Sequence, residues 1–345
     1  MERKENYHGM NRVLSIFVLV VFCVAFLPAL SNSQAMAADY SCKITFTPPP
    51  TLSGTHAAML FAEELKKRAK GEIEPQVFPQ GQLGSDPEIM NKLEMGSIQF
   101  MNTGGMMLSR WTSKADVLML PFVFDTWDKV DKFAKSELLE PIKRDLEKKG
   151  IMLVGITAFG MMDMAATKKI TRLEDLKGTK FRIQPTPIFK KMCQYLGVNG
   201  MPVPYAELYS SLKQGIVDGV FNTSELMIMD KTSEVCKYVA NTNHMCGYIV
   251  QLLNKQWYDS LPAPLKQAVM DSINEASKQE RQRVRIREEE FTEKMKTDKG
   301  VTFIQLAPKE KDRFVKALMP LHNDCKKIMG EEYMEKVYKL TDFQK

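Results

Sequence analysis

The chain has 345 residues, 48 Lys and Arg against 42 Asp and Glu, and a formal net charge of +6. So mild an excess, spread along the chain, argues against nucleic acid as a partner. Six Cys at wide spacing with no CxxC, and four His with no carboxylate-histidine spacing, argue against a disulfide framework and a zinc site.

Residues 13–30, VLSIFVLVVFCVAFLPAL, are apolar apart from Ser15, come after Arg3, Lys4 and Arg12, and lead into Ala35-Met36-Ala37. That pattern reads as a secretory leader ending at residue 37, with an uncleaved membrane anchor as the competing reading because the apolar core is long. The chain from residue 38 is longer than one hydrophobic core usually serves, so two lobes are expected.

The working chain then alternates strands and helices. Cys42, Ile44 and Phe46 share one face of an opening strand, and Ser53-Gly54-Thr55 begins a helix with the stripe Ala58, Phe61, Ala62, Leu65 and Ala69. Next come a strand over 73–78, a helix capped by Asp86 with Pro87 at its first position, and a strand over 98–103. This βαβαβ order predicts an α/β sheet with ligands at the carboxyl ends of its strands. Thr103 and Gly104 lie at such an end, where backbone amides can meet an anion.

Two charged helices lead to Gly150, a strand covers 151–157, and Phe159-Gly160 reads as the exit from the first lobe. A second alternating series starts near Met164. Thr171 to Gln184, TRLEDLKGTKFRIQ, reads as a short helix over 173–177 with a Thr-x-x-Glu box and a stop at Gly178, then a strand carrying Arg182 between Phe181 and Ile183. A guanidinium flanked by apolar residues on a strand calls for a counter-charge, because burying it unpaired costs several kcal/mol. Helices over 187–196 and 206–214, stopped by Gly197 and Gly215, and a strand over 248–254 complete the series.

Residues 262–297 hold no helix breaker after Pro264, and their middle, KQERQRVRIREEE, interleaves charges as a solvated helix does. At 1.5 Å per residue such a helix spans roughly 50 Å, enough to join two lobes. Of the cysteines beyond the leader, Cys236 and Cys246 stand close enough in sequence to pair, although buried free thiols are the reading preferred. No nucleophile elbow, P-loop or G-x-G-x-x-G is present, and His244 reads as satisfying a local group before it reads as functional.

The run 175–183 (DLKGTKFRI), Leu196-Gly197, 202–209 (PVPYAELY), 212–219 (LKQGIVDG) and Asn222 resembles the solute-binding subunit of TRAP transporters, of the C4-dicarboxylate-binding (DctP-type) family. Gln82-Leu83-Gly84, Leu120-Pro121-Phe122, Asn243-His244 and Leu261-Pro262 agree in order. The resemblance implies an α/β, two-lobed periplasmic-binding-protein fold with a central ligand cleft and a long helix spanning both lobes. Its expected division is 38–159 with 248–287 as one lobe and 160–247 with 288–345 as the other. It implies a periplasmic protein that is no enzyme, uses no cofactor or metal, works as a monomer, and delivers a small organic acid to TRAP membrane permease subunits. The family's ligand-binding arginine maps onto Arg182, whose fork matches a carboxylate, and its asparagine onto Asn222.

Two positions depart from the family pattern. Met162 stands where many relatives carry a second arginine, and Phe221 replaces a polar residue before the asparagine. With one cation lost and two apolar groups added, the expected ligand is a monocarboxylate with an apolar or aromatic body, packed on Phe221, Met162, Tyr205 and Met106 or Trp111. A ligand-sensing module for a membrane receptor and a periplasmic enzyme are the alternatives.

Overall fold

The computed structural model describes residues 39–343, so the leader over 1–37 lies outside the described residues. Strands β1 (Tyr40–Phe46), β2 (Ile73–Phe78) and β3 (Phe100–Gly104) alternate with helices α1 (His56–Arg68) and α2 (Asp86–Glu94), as the periodicity predicts. Cys42, Ile44 and Phe46 are fully buried, and the α1 stripe packs beneath them with Ala58, Phe61 and Leu65. The cap of α2 differs from the sequence reading: it is Ser85, in a reciprocal box with Glu88. Asp86 is unavailable because its carboxylate accepts from the hydroxyls of Thr47 at 2.9 Å and Thr103 at 3.2 Å.

After α3 (Trp127–Ala134) and α4 (Glu140–Glu147) comes β4 (Ile151–Ala166), one 16-residue strand where two shorter strands are expected from the sequence. Then come strand β5 (Lys180–Ile183), helix α5 (Pro187–Leu196), β6 (Asn199–Pro202), α6 (Leu208–Lys213), β7 (Gly219–Asn222) and α7 (Ser224–Met229). The helix expected over 173–177 is a short 3-10 turn, Leu173–Leu176. Asp175, not Glu174, closes it, accepting from the Thr171 and Arg172 amides at 2.8 and 3.1 Å, while Glu174 pairs with Arg313.

Strand β8 (Tyr238–Asn254) is 17 residues long and precedes α8 (Lys255–Ser260), α9 (Ala263–Asp298), β9 (Thr302–Gln305), α10 (Pro308–Met329) and α11 (Glu331–Leu340). These strands form one nine-stranded sheet, in the order β2-β1-β3-β8-β4-β7-β5-β6, with β9 on β8. Parallel pairs occupy both wings, and β3-β8, β8-β4 and β4-β7 are antiparallel. The long strands stay unbroken because each supplies hydrogen-bond partners to the other through both wings, and a gap there would orphan buried backbone groups. Their register shifts between Ala158 and Met161, where Gly160 takes φ +128° and Gly247 lies under the Phe159 ring, so close that a Cβ would come within 2.5 Å of it.

Helix α9 runs 36 residues, as the charge pattern predicts. Its first half packs Leu265, Val269 and Ile273 beneath the β1 wing, and Met295 joins the cluster beside β7. Among the described residues no helix is long and apolar enough to cross a membrane.

Candidate functional site

The site is built from Arg182 outward. In the parallel pair β5-β7, Arg182 stands opposite Val220 and Phe181 opposite Gly219. Side chains alternate along a strand, so Arg182 shares a face with Asn222, two residues past Val220, while Phe221 turns to the other face with Phe181. The rings of Phe181 and Phe221 lie 4.9 Å apart, in keeping with that alternation.

Arg182 is only 8% exposed. Its Nε donates to the Val203 carbonyl at 3.0 Å, and its guanidinium stands 5.7 Å from the centre of the Tyr205 ring. It has no ion pair with a carboxylate among the described residues. Burial pushes its pKa down, against the opposing fields of Tyr205 and Asp230. A largely buried cation held by one carbonyl and one ring keeps donors available to an incoming anion.

Asn222 is fixed in orientation from both ends. Its Oδ1 accepts from the Thr223 amide at 3.0 Å, and its Nδ2 donates to Asp230 Oδ2 at 3.1 Å. Asp230 is a residue that sequence reasoning misses. Its Oδ1 accepts from the Thr232 amide and hydroxyl at 3.0 and 2.7 Å, and its Oδ2 also takes the Tyr205 hydroxyl at 3.3 Å. The signal is present in Asp230-Lys231-Thr232, an aspartate bonding the backbone two residues on, as turns favour. Burial pushes the Asp230 carboxyl up, against the bonds from Thr232, Tyr205 and Asn222.

Asn222 and Tyr205 therefore share Asp230, and the Tyr205 ring in turn faces Arg182. Phe221 and Met162 belong to a different neighbourhood, an apolar cluster with Met119, Phe122 and Phe159 that Met106 packs against. Trp111 packs against another cluster, on the β3 side. Thr103 is buried, with its hydroxyl on Asp86, and Gly104 pairs with Ile249. Neither is joined to Arg182 by a hydrogen bond among the described residues. A cavity of about 400 Å³ opens between Met106–Met119 and Pro185–Ile188, just past the carboxyl end of β5.

His244 is wholly buried, its Nδ1 2.8 Å from the Thr242 hydroxyl and its ring edge-on to Phe221 at 5.3 Å. Burial pushes its pKa down to about 3, so it is neutral. Its Nε2 has no hydrogen-bond partner among the described residues, since the aromatic rings of Phe221 and Phe122 flank it. Cys42, Cys193, Cys236, Cys246 and Cys325 are free and buried, so Cys236 and Cys246 do not pair.

This geometry of a buried arginine on the same sheet face as an oriented amide, at the carboxyl end of a parallel pair, suits capture of an anion. The family model for bacterial extracellular solute-binding protein, family 7 (DctP), matches residues 45–328. The chain belongs to this family. It is 28% identical over 280 residues to the C4-dicarboxylate-binding periplasmic protein DctP of Vibrio cholerae, covering 81% of this chain and 84% of that protein. It is 26% identical over 282 residues to the 2,3-diketo-L-gulonate-binding periplasmic protein YiaO of Escherichia coli, covering 81% and 85%.

Among solved structures, a TRAP periplasmic solute-binding protein from Ochrobactrum anthropi superimposes with a TM-score of 0.83 at 25% identity, over 89% of this chain and 96% of that one. One from Sulfurospirillum deleyianum, with bound succinate, gives a TM-score of 0.78 at 26% identity, over 88% and 99%. The family 7 chain thus has the two-lobed α/β fold that the resemblance implies, and its kin are solute-binding proteins.

Proposed function

We propose that this chain is a periplasmic solute-binding protein that captures an organic acid at Arg182 and delivers it to a TRAP membrane permease. The observation that carries the reading is the buried Arg182 guanidinium, which has no carboxylate ion pair among the described residues and lies beside the oriented Asn222 amide. The two lobes, divided as 38–159 with 248–287 and 160–247 with 288–345, close about the acid as its carboxylate takes the arginine fork. The ligand body is apolar, in keeping with the Met106, Met107 and Met119 side chains that line the cavity past the carboxyl end of β5; Phe221 and Met162, expected to pack on the ligand, lie instead in the apolar core behind the Arg182 face.

A thermal-shift panel tests this. A ligand at a hundred times its dissociation constant adds about 2.7 kcal/mol of stability, several degrees for a protein of this size. Phenylacetate and branched-chain 2-oxo acids are expected to raise the melting temperature and succinate is not. The second reading, a dicarboxylate or sugar acid, is favoured by the succinate in the Sulfurospirillum relative. A shift with succinate or galacturonate alone would establish it and retire the apolar ligand.

A further inference from the structure

We propose that Asp230 is a positioning and specificity-determining residue of the acid site, orienting Asn222 and Tyr205 around Arg182 and discriminating against a ligand's second carboxylate. This rests on the acid-capture reading above.

The geometry has two parts. Asp230 Oδ2 takes one hydrogen of the Asn222 Nδ2 at 3.1 Å and the Tyr205 hydroxyl at 3.3 Å, while Oδ1 is anchored by the Thr232 amide and hydroxyl. With Asn222 Oδ1 held by the Thr223 amide, the side chain cannot flip without breaking both bonds, so its second N–H has a fixed direction. Tyr205, held by the same carboxylate, sets its ring against the Arg182 guanidinium.

The charges form the second part. Arg182 and Asp230 together bring no net charge, so one ligand carboxylate is met by the arginine and a second would be met by the field of Asp230. Arg182, Tyr205 and Cys236 are among the ionisable groups that feel the field of Asp230.

The experiment has two arms on the chain from residue 38. In the first, the side-chain amide signals of Asn222 are followed by NMR against pH without ligand. They are expected to titrate with Asp230 in the wild type and to move to new, pH-independent positions in Asp230→Asn. Unmoved Asn222 signals in that variant would overturn the positioning role.

In the second arm, phenylacetate and succinate are titrated calorimetrically into the wild type, Asp230→Asn, Asp230→Ser and Arg182→Ala. The succinate-to-phenylacetate affinity ratio is expected to rise about tenfold in both Asp230 variants, the size of an ordinary coupling between neighbouring charges. An unchanged ratio would overturn the selectivity role. Retained binding in Arg182→Ala would sink the acid-capture reading alone, because the ligand-free NMR arm still decides the case for Asp230.

Discussion

Glu225 and Arg287 meet at 2.7 Å, and the same buried carboxylate accepts the Ser53 amide at 3.2 Å through both oxygens. One residue of α7 thereby ties the long helix to the loop before α1, with Arg287 and Ser53 234 residues apart in sequence. Glu280 does the same one residue on, accepting the Gly54 amide at 2.7 Å and facing His56 at 3.1 Å.

Glu225 is 3% exposed, so its charge depends on its partners. Arg287→Met leaves it with the Ser53 amide alone. A loss of about 2 kcal/mol is expected from urea unfolding, at the lower end for a broken buried pair because the arginine is itself partly in solvent. Glu225→Gln, which keeps an acceptor for Ser53, should cost less.

Arg182→Ala is expected to lower affinity for any bound acid by at least about a hundredfold, the scale of a lost charge-assisted pair, without unfolding the protein. Arg182→Lys should recover little, since a point charge does not reproduce the fork or its stacking on Tyr205. Calorimetry with circular dichroism separates the two effects. Unchanged affinity would make Arg182 a structural residue.

Asp163 carries a pH signature. Its Oδ1 accepts the Thr242 and Asn243 amides at 2.7 and 2.8 Å, capping the place where β8 loops away from β4. Burial nevertheless pushes its pKa from 3.8 to about 7, against those amides and with the help of Glu288. A raised carboxyl pKa means the folded state binds the proton more tightly, so stability falls as pH rises from about 4 to 7 and stays lower above. The change is on the order of 2 to 4 kcal/mol. Asp163→Asn keeps an oxygen for both amides and should flatten the slope, read as urea midpoints between pH 4 and 8.

Gly160 bends β4 at φ +128°, and an added Cβ would come within 3.0 Å of Thr223 Cβ. Gly160→Ala should cost about 1–3 kcal/mol through backbone strain. A melting temperature equal to the wild type's would show that the bend tolerates a side chain.

The five cysteines beyond the leader are all buried and free. Native treatment with iodoacetamide should leave the mass of the chain from residue 38 unchanged, and treatment in guanidinium without reductant should add five adducts. Three adducts would reveal a disulfide.

Local rules wrote most of the elements into the chain. The limits of α5 and β2 follow from proline, glycine and alternation, and α9 from an unbroken run of helix formers with interleaved charge. Arg182 stands out because a cation between two apolar residues on a strand needs a reason. Tertiary structure decided whatever depends on partners far away in sequence. Whether β4 stops at Gly160 depends on β8, a strand far along the chain (Tyr238–Asn254), which offers hydrogen bonds through both wings. Which oxygen caps α2 depends on Thr47 and Thr103 having claimed Asp86. That Phe221 faces away from Arg182 follows from a parallel register that sequence alone cannot set. Asp230 gains its meaning only when folding brings Asn222 and Tyr205 to one carboxylate, because a charge is defined by its neighbours in space, not along the chain.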